Sequence, residues 1–133
     1  MFPKGHLGVS LILYSPIAAL LIINSLFLEA AFGLAVFVGL SSLPDIDVKI
    51  SFIKHRGITH TVWFAIIIAL IPTIITMNIP KEYIGFIGFG NYTTPLIFIL
   101  SFLAVMSHIV GDAITPYGVA PLSIGALQNI PTF

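Results

Sequence analysis

Four apolar runs separated by short polar breaks set the pattern of this chain. The first extends from about Leu7 to Leu28, enough to cross a hydrocarbon core of about 30 Å at 1.5 Å per residue. Pro16 lies inside it, where the Ser15 hydroxyl or a neighbouring helix must compensate for the missing N–H. Asn24, Ser25 and Glu29 mark a short turn before the second run, about 30–43. That run is short for a full span, but Ala30, Ala31, Gly33, Ala35 and Gly39 suit close packing against another helix. A polar stretch over 44–60 follows. The third run, 60–77, contains Pro72 and is ended by Asn78, Pro80, Lys81 and Glu82, and Thr59 is its expected N-cap. From Tyr83 to Tyr92 glycines alternate with large apolar residues, which predicts a loop or interfacial turn. The segment lacks the Lys-Ser/Thr of a phosphate loop. The fourth run covers 95–113, and the proline-bearing tail beyond it reads as a loop with at most a short surface helix.

Composition changes this picture from helical to membrane-embedded. Of 133 residues, 58% are hydrophobic and only 8% charged, far below the roughly 25% of soluble domains. The expectation is one all-α domain over 1–133, a polytopic four-helix transmembrane bundle with both termini on one side. Lys4, Lys49, Lys54 and Arg56 fall on that side and Lys81 on the other, which makes the first side cytoplasmic and the protein one of the cell membrane. The first run exceeds the length of a signal-peptide core and reads as an uncleaved helix. A net charge of zero without a basic run offers no basis for binding nucleic acid. Membrane lipid is the expected partner. The absence of cysteine restricts any metal to His, carboxylate or main-chain ligands.

The same topology gathers the ionisable groups. His6 begins helix 1, Asp45 and Asp47 follow helix 2, His55 and His60 precede or begin helix 3, and His108 and Asp112 end helix 4. Of the acids and histidines, only Glu29 and Glu82 remain for the opposite face. His108 and Asp112, four apart, project from one side of a helix and can reach one ion. A packed histidine followed by a solvated acid is the alternative. Asp112 also faces the negative end of its helix dipole, which a cation would offset. Asp45 and Asp47 either form a solvated turn begun by Pro44 or repel each other until a cation sits between them. His60 stands where the dipole disfavours imidazolium and leaves a neutral ligand. His55 is open between ligand, proton shuttle and surface residue. Arg56 either grips an anionic substrate with its planar guanidinium or sets orientation at the interface. Tyr14, Trp63, Tyr83, Tyr92 and Tyr117 read as packing or interfacial aromatics.

The segments Pro44-Asp45-Ile46-Asp47, His55-Arg56-Gly57-Ile58-Thr59-His60-Thr61 and His108 to Gly118 together resemble the YdjM family of inner-membrane, predicted metal-dependent hydrolases. Their order is also distantly similar to zinc-dependent phospholipase C and P1-type nucleases. The resemblance implies that an Asp of the PDID stretch, His60, His108 and Asp112 share one zinc, with Asp112 bridging to a second ion held by His6. The soluble enzymes carry further His and acidic ligands after the segment matching His108 to Asp112; this chain has none, so one or two ions are expected rather than three. The resulting reading is a membrane-embedded, phospholipase-like hydrolase of a phosphate ester in a lipid or lipid-linked substrate. Zinc is the first choice and manganese or iron the others. Whichever of Asp45 and Asp47 is not a tight ligand accepts a proton from water, and Arg56 neutralises developing charge. The rivals are a metal-ion or proton transporter, which should carry polar groups through mid-membrane, and a scaffold with a structural metal.

Overall fold

The computed structural model describes residues 3–45, 58–86, 88–90 and 92–114. Helix α1 is Pro3–Ile23, α2 Phe27–Leu40, α3 Val62–Met77, α4 Lys81–Phe86 and α5 Thr93–Ala113. All four apolar runs are helical, and no strand occurs among the described residues. The segments Gly5–Ile23, Phe27–Asp45 and Thr93–Ala113 are long and apolar enough to cross a membrane. The expected weak span was the second, yet the short one is α3, whose 16 residues reach about 24 Å. The second gains length because a 3-10 turn over 43–45 continues it beyond Leu40.

Helix α1 passes through Pro16 because Ser15 Oγ donates to the Ile12 carbonyl at 2.9 Å, the acceptor that proline leaves without an N–H. The chain then reverses within Asn24 to Leu26. Leu26 N donates to Leu21 O at 2.8 Å and Ser25 N to Ile22 O at 2.9 Å, with Ser25 left-handed at φ 62°, the bond pattern of a Schellman stop. Glu29, expected in this turn, instead occupies the first turn of α2 and is buried, accepting a hydrogen bond from the Tyr92 hydroxyl at 3.0 Å. The glycine-aromatic segment is partly helical as α4, one and a half turns started after Pro80, where proline's fixed φ favours helix entry.

Helix α5 is the axis of the bundle and packs on α1, α2 and α3, while α1 and α2 also pack on each other. Tyr14, Phe37, Leu100 and Ala104 form one core layer, and Ala65, Val105 and Ile109 form a second nearer the ionisable end. Gly33 allows the first: the Tyr14 hydroxyl and Leu100 fill the space a Cβ would need, and that hydroxyl donates to the Ala30 carbonyl. About one helical turn from the ionisable end Ser10 and Ser107 pair at 2.8 Å, tying α1 to α5. Outward positions such as Ile12, Ile23, Ile67 and Ile75 are exposed, as a lipid solvent permits.

Candidate metal centre

Alternating helix directions bring the start of α1, the end of α2, the approach to α3 and the end of α5 to one end of the bundle. His6, Asp45, His60, His108 and Asp112 meet there. Asp47, His55 and Arg56, together with Lys49 and Lys54, lie outside the described residues. So do the tail beyond Ile114 and Tyr117 within it.

Each residue is placed by a local feature. Asp45 closes the 3-10 turn over 43–45, whose middle residue is buried Pro44. His60 ends a 3-10 turn, Ile58–His60, and Thr61 rather than Thr59 caps α3, accepting from Phe64 N at 3.3 Å. The Thr59 hydroxyl is instead 3.0 Å from His60 Nδ1. That contact fixes the imidazole and turns Nε2 inward, the arrangement that commonly orients a metal-ligating histidine. His108 and Asp112 share one face of α5, and the His6 ring stacks on His108 with centroids 3.9 Å apart and planes 13° apart.

The donor atoms converge. His60 Nε2 is 3.0 Å from Asp112 Oδ2 and 4.0 Å from Asp45 Oδ1; His108 Nε2 is 3.3 Å from Asp45 Oδ1 and 3.5 Å from Asp112 Oδ2. One ligand atom from each of these four residues lies within 4.8 Å of all the others. A tetrahedron with ligand bonds near 2.0 Å has edges of about 3.3 Å, so the spacings fit a single ion. His108 Nε2, although this close to two carboxylates, makes no hydrogen bond to either and is buried. Asp112 presents its other oxygen, Oδ1, to His6 Nε2 at 3.3 Å.

His60, His108 and Asp112 are buried, whereas the Asp45 side chain is one-third exposed. It borders a cavity of about 220 Å³ lined also by His6, Leu7, Val38, Ser41, Ser42 and His108. All-His/carboxylate ligation suits a borderline divalent ion, and the residues present could hold one.

Thr59 and the Ser10–Ser107 pair were not recognised as supports of this site from sequence. Ser10 stands four residues after His6 and Ser107 directly before His108, so helical spacing was the available signal for the first. For Thr59 the cap motif masked the role.

The family model for the YdjM inner membrane protein matches residues 1–124. No curated protein and no solved structure matches the chain.

Proposed function

This chain belongs to the YdjM inner membrane protein family, and we propose that it is a metal-dependent hydrolase of a phosphate ester that reaches the site from the membrane. The observation that carries this reading is the 220 Å³ space against Asp45 and His108. Structural metal sites are closed by protein on every side, whereas catalytic ones keep a position open. Here three of the four donors are buried, and the fourth faces a space large enough for several waters at about 30 Å³ each.

His60, His108, Asp112 and Asp45 are the ligands of the principal ion, zinc by preference, and His6 with Asp112 Oδ1 offers a place for a second. A divalent ion bound there would acidify water and polarise a phosphoryl oxygen. The chain's own residues do the rest. Thr59 holds the His60 ring, the stacked His6 holds His108, and Asp45 holds its oxygen toward the ion at the rim of the cavity. Asp47, the aspartate outside that ligand set, is assigned to take a proton from water and Arg56 to the phosphate's charge, both from sequence. The site faces the cytoplasm, by the distribution of basic residues.

Transport is less well supported. Among the described residues all three histidines, Asp45 and Asp112 gather at one end, and the buried middle holds hydroxyls such as Ser101 and Thr73 rather than the charged relay a transporter uses. The test is metal content of protein purified in mild detergent without chelator, for wild type, His108→Ala and Asp112→Ala, followed by a screen of phosphoesters. Stoichiometric metal lost from both variants, with metal-dependent release of phosphate or a phospho-alcohol, is expected. Protein that carries no transition metal and takes none up refutes the reading.

A further inference from the structure

Helices α2 and α3 both lie against α5 but make little contact with each other, and the gap between them is a trough of about 470 Å³. Its walls include Val36 and Gly39 on α2, Leu43 in the turn that follows it, and Ile68 and Ile71 on α3, with Ser101 of α5 in its floor. We propose that this trough seats one acyl chain of a membrane phospholipid, so that the phosphate of the same lipid is delivered to the metal centre. The proposal rests on the hydrolase reading above and names its substrate class.

Three observations select this occupant. The first is size. The trough runs from the level of Leu43 and Ile68 to that of Ala35 and Ile75, eight residues of helix or about 12 Å. A flexible alkyl chain fits a space of that length and volume. The second is depth, since the trough lies along two membrane helices and every wall residue named is apolar except Ser101 and Gly39.

The third is where it leads. Leu40 and Ile68 pack on Ala65, Val105 and Ile109, and Ile109 adjoins His108. Beyond the Leu43–Ile68 end of the trough, α3 continues six residues, about 9 Å, back to its start at Val62, and there the approach to α3 meets the end of the second span through the Asp45–His60 pair at 4.0 Å. A chain lying in the trough thus places its headgroup at the Asp45–His60 edge of the donor cluster. The 220 Å³ cavity flanks Asp45 on the α1 side, so lipid and water approach from different directions. Because lipid tails are as apolar as the trough walls, binding here reflects shape and the headgroup rather than escape from water.

The probe is a phosphatidylglycerol with a diazirine midway along one acyl chain, added in equimolar amount to delipidated protein in mild detergent and photolysed. Label is expected on residues 35–43 and 68–75. A Cβ at Gly39 meets nothing within 4 Å, so Gly39→Phe fills the trough without displacing backbone. It should lower labelling there roughly tenfold, the ratio that 1.4 kcal/mol of lost binding produces, while Ile12→Phe on the far lipid face leaves it unchanged. Gly39→Leu serves if the phenylalanine variant does not fold. Label spread over all lipid-facing helices, label insensitive to either Gly39 variant, or no label in the trough because a second copy or another part of the chain fills it would each overturn the proposal. Metal content measured in the same samples separates the two ideas: trough labelling without metal leaves the trough and sinks the hydrolase, and metal without trough labelling does the reverse.

Discussion

Asp112→Asn is the most informative single change, because Asp112 is the hub of the described donors. Its Oδ1 is 3.3 Å from His6, and its Oδ2 is 3.0 Å from His60 and 3.5 Å from His108. Asparagine keeps the shape and removes the charge. Loss of an outer-shell partner typically weakens metal binding 10- to 100-fold, so loss of a direct anionic ligand should cost at least about 100-fold. With free metal at one hundred times the wild-type Kd, binding stabilises the fold by about 2.7 kcal/mol; at the variant's weaker Kd the same concentration gives about 0.4 kcal/mol. Near 3 °C per kcal/mol for a chain of this size, wild type should gain roughly 8 °C in Tm on adding zinc and the variant roughly 1 °C. Each protein is compared with itself in chelator, which cancels the effect of the substitution on the metal-free fold. The assay is thermal unfolding in detergent with and without zinc, with elemental analysis alongside. Asp45→Asn should fall between, because its side chain is one-third solvated and water can replace it. An Asp112→Asn protein with an undiminished zinc-dependent shift and full metal content would refute the assignment of Asp112 as a ligand.

Gly33→Ala puts a methyl 2.6 Å from the Tyr14 hydroxyl and 3.0 Å from Leu100; overpacking plus loss of the Tyr14 bond to Ala30 should destabilise by about 3 kcal/mol, read as a fall in Tm with the metal-dependent increment intact. Ser25→Gly relieves a left-handed residue at the α1 stop and should stabilise by about 1 kcal/mol in the same scan. The Tyr92 phenol is raised above its ordinary value of 10.0 by desolvation, then by its hydrogen bond to Glu29 and that carboxylate's charge. Its protonated form favours the fold, so this stability is complete below pH 10 and is lost as pH rises through the folded value. Glu29→Gln should shift the Tyr92 component of the alkaline absorbance titration downward, with Tyr92→Phe identifying that component.

The fold was readable because a membrane leaves so few solutions. Every buried main-chain group must be satisfied within the segment, so four apolar runs meant four helices, and Ser15 beside Pro16 even identified the donor that replaces the lost N–H. Helix ends were less legible. Glu29 looked like a turn residue because a carboxylate is costly in a helix within lipid; its partner Tyr92, which removes that cost, is 63 residues away. Thr59 and Thr61 both fit a cap, and only the 3-10 turn before α3 decides between them. The meeting of His6, Asp45, His60, His108 and Asp112 follows from counting crossings, since an alternating bundle sends those positions to one end whatever the packing details.

Counting crossings does not determine which helices touch. Sequence neighbours α1 and α2 pack together and so do α3 and α5, while α2 and α3 stand apart at the place where the polar stretch joins them. No periodicity in either helix marks that gap, because a wall facing a lipid chain and a wall facing another helix are equally apolar. The gap depends instead on α5 lying between them and on small residues, Ala65, Ala69 and Ala104, fully buried in the bundle. In this chain the residues that would do chemistry are conspicuous as polar exceptions, and the residues that would select a substrate are indistinguishable from the bilayer around them.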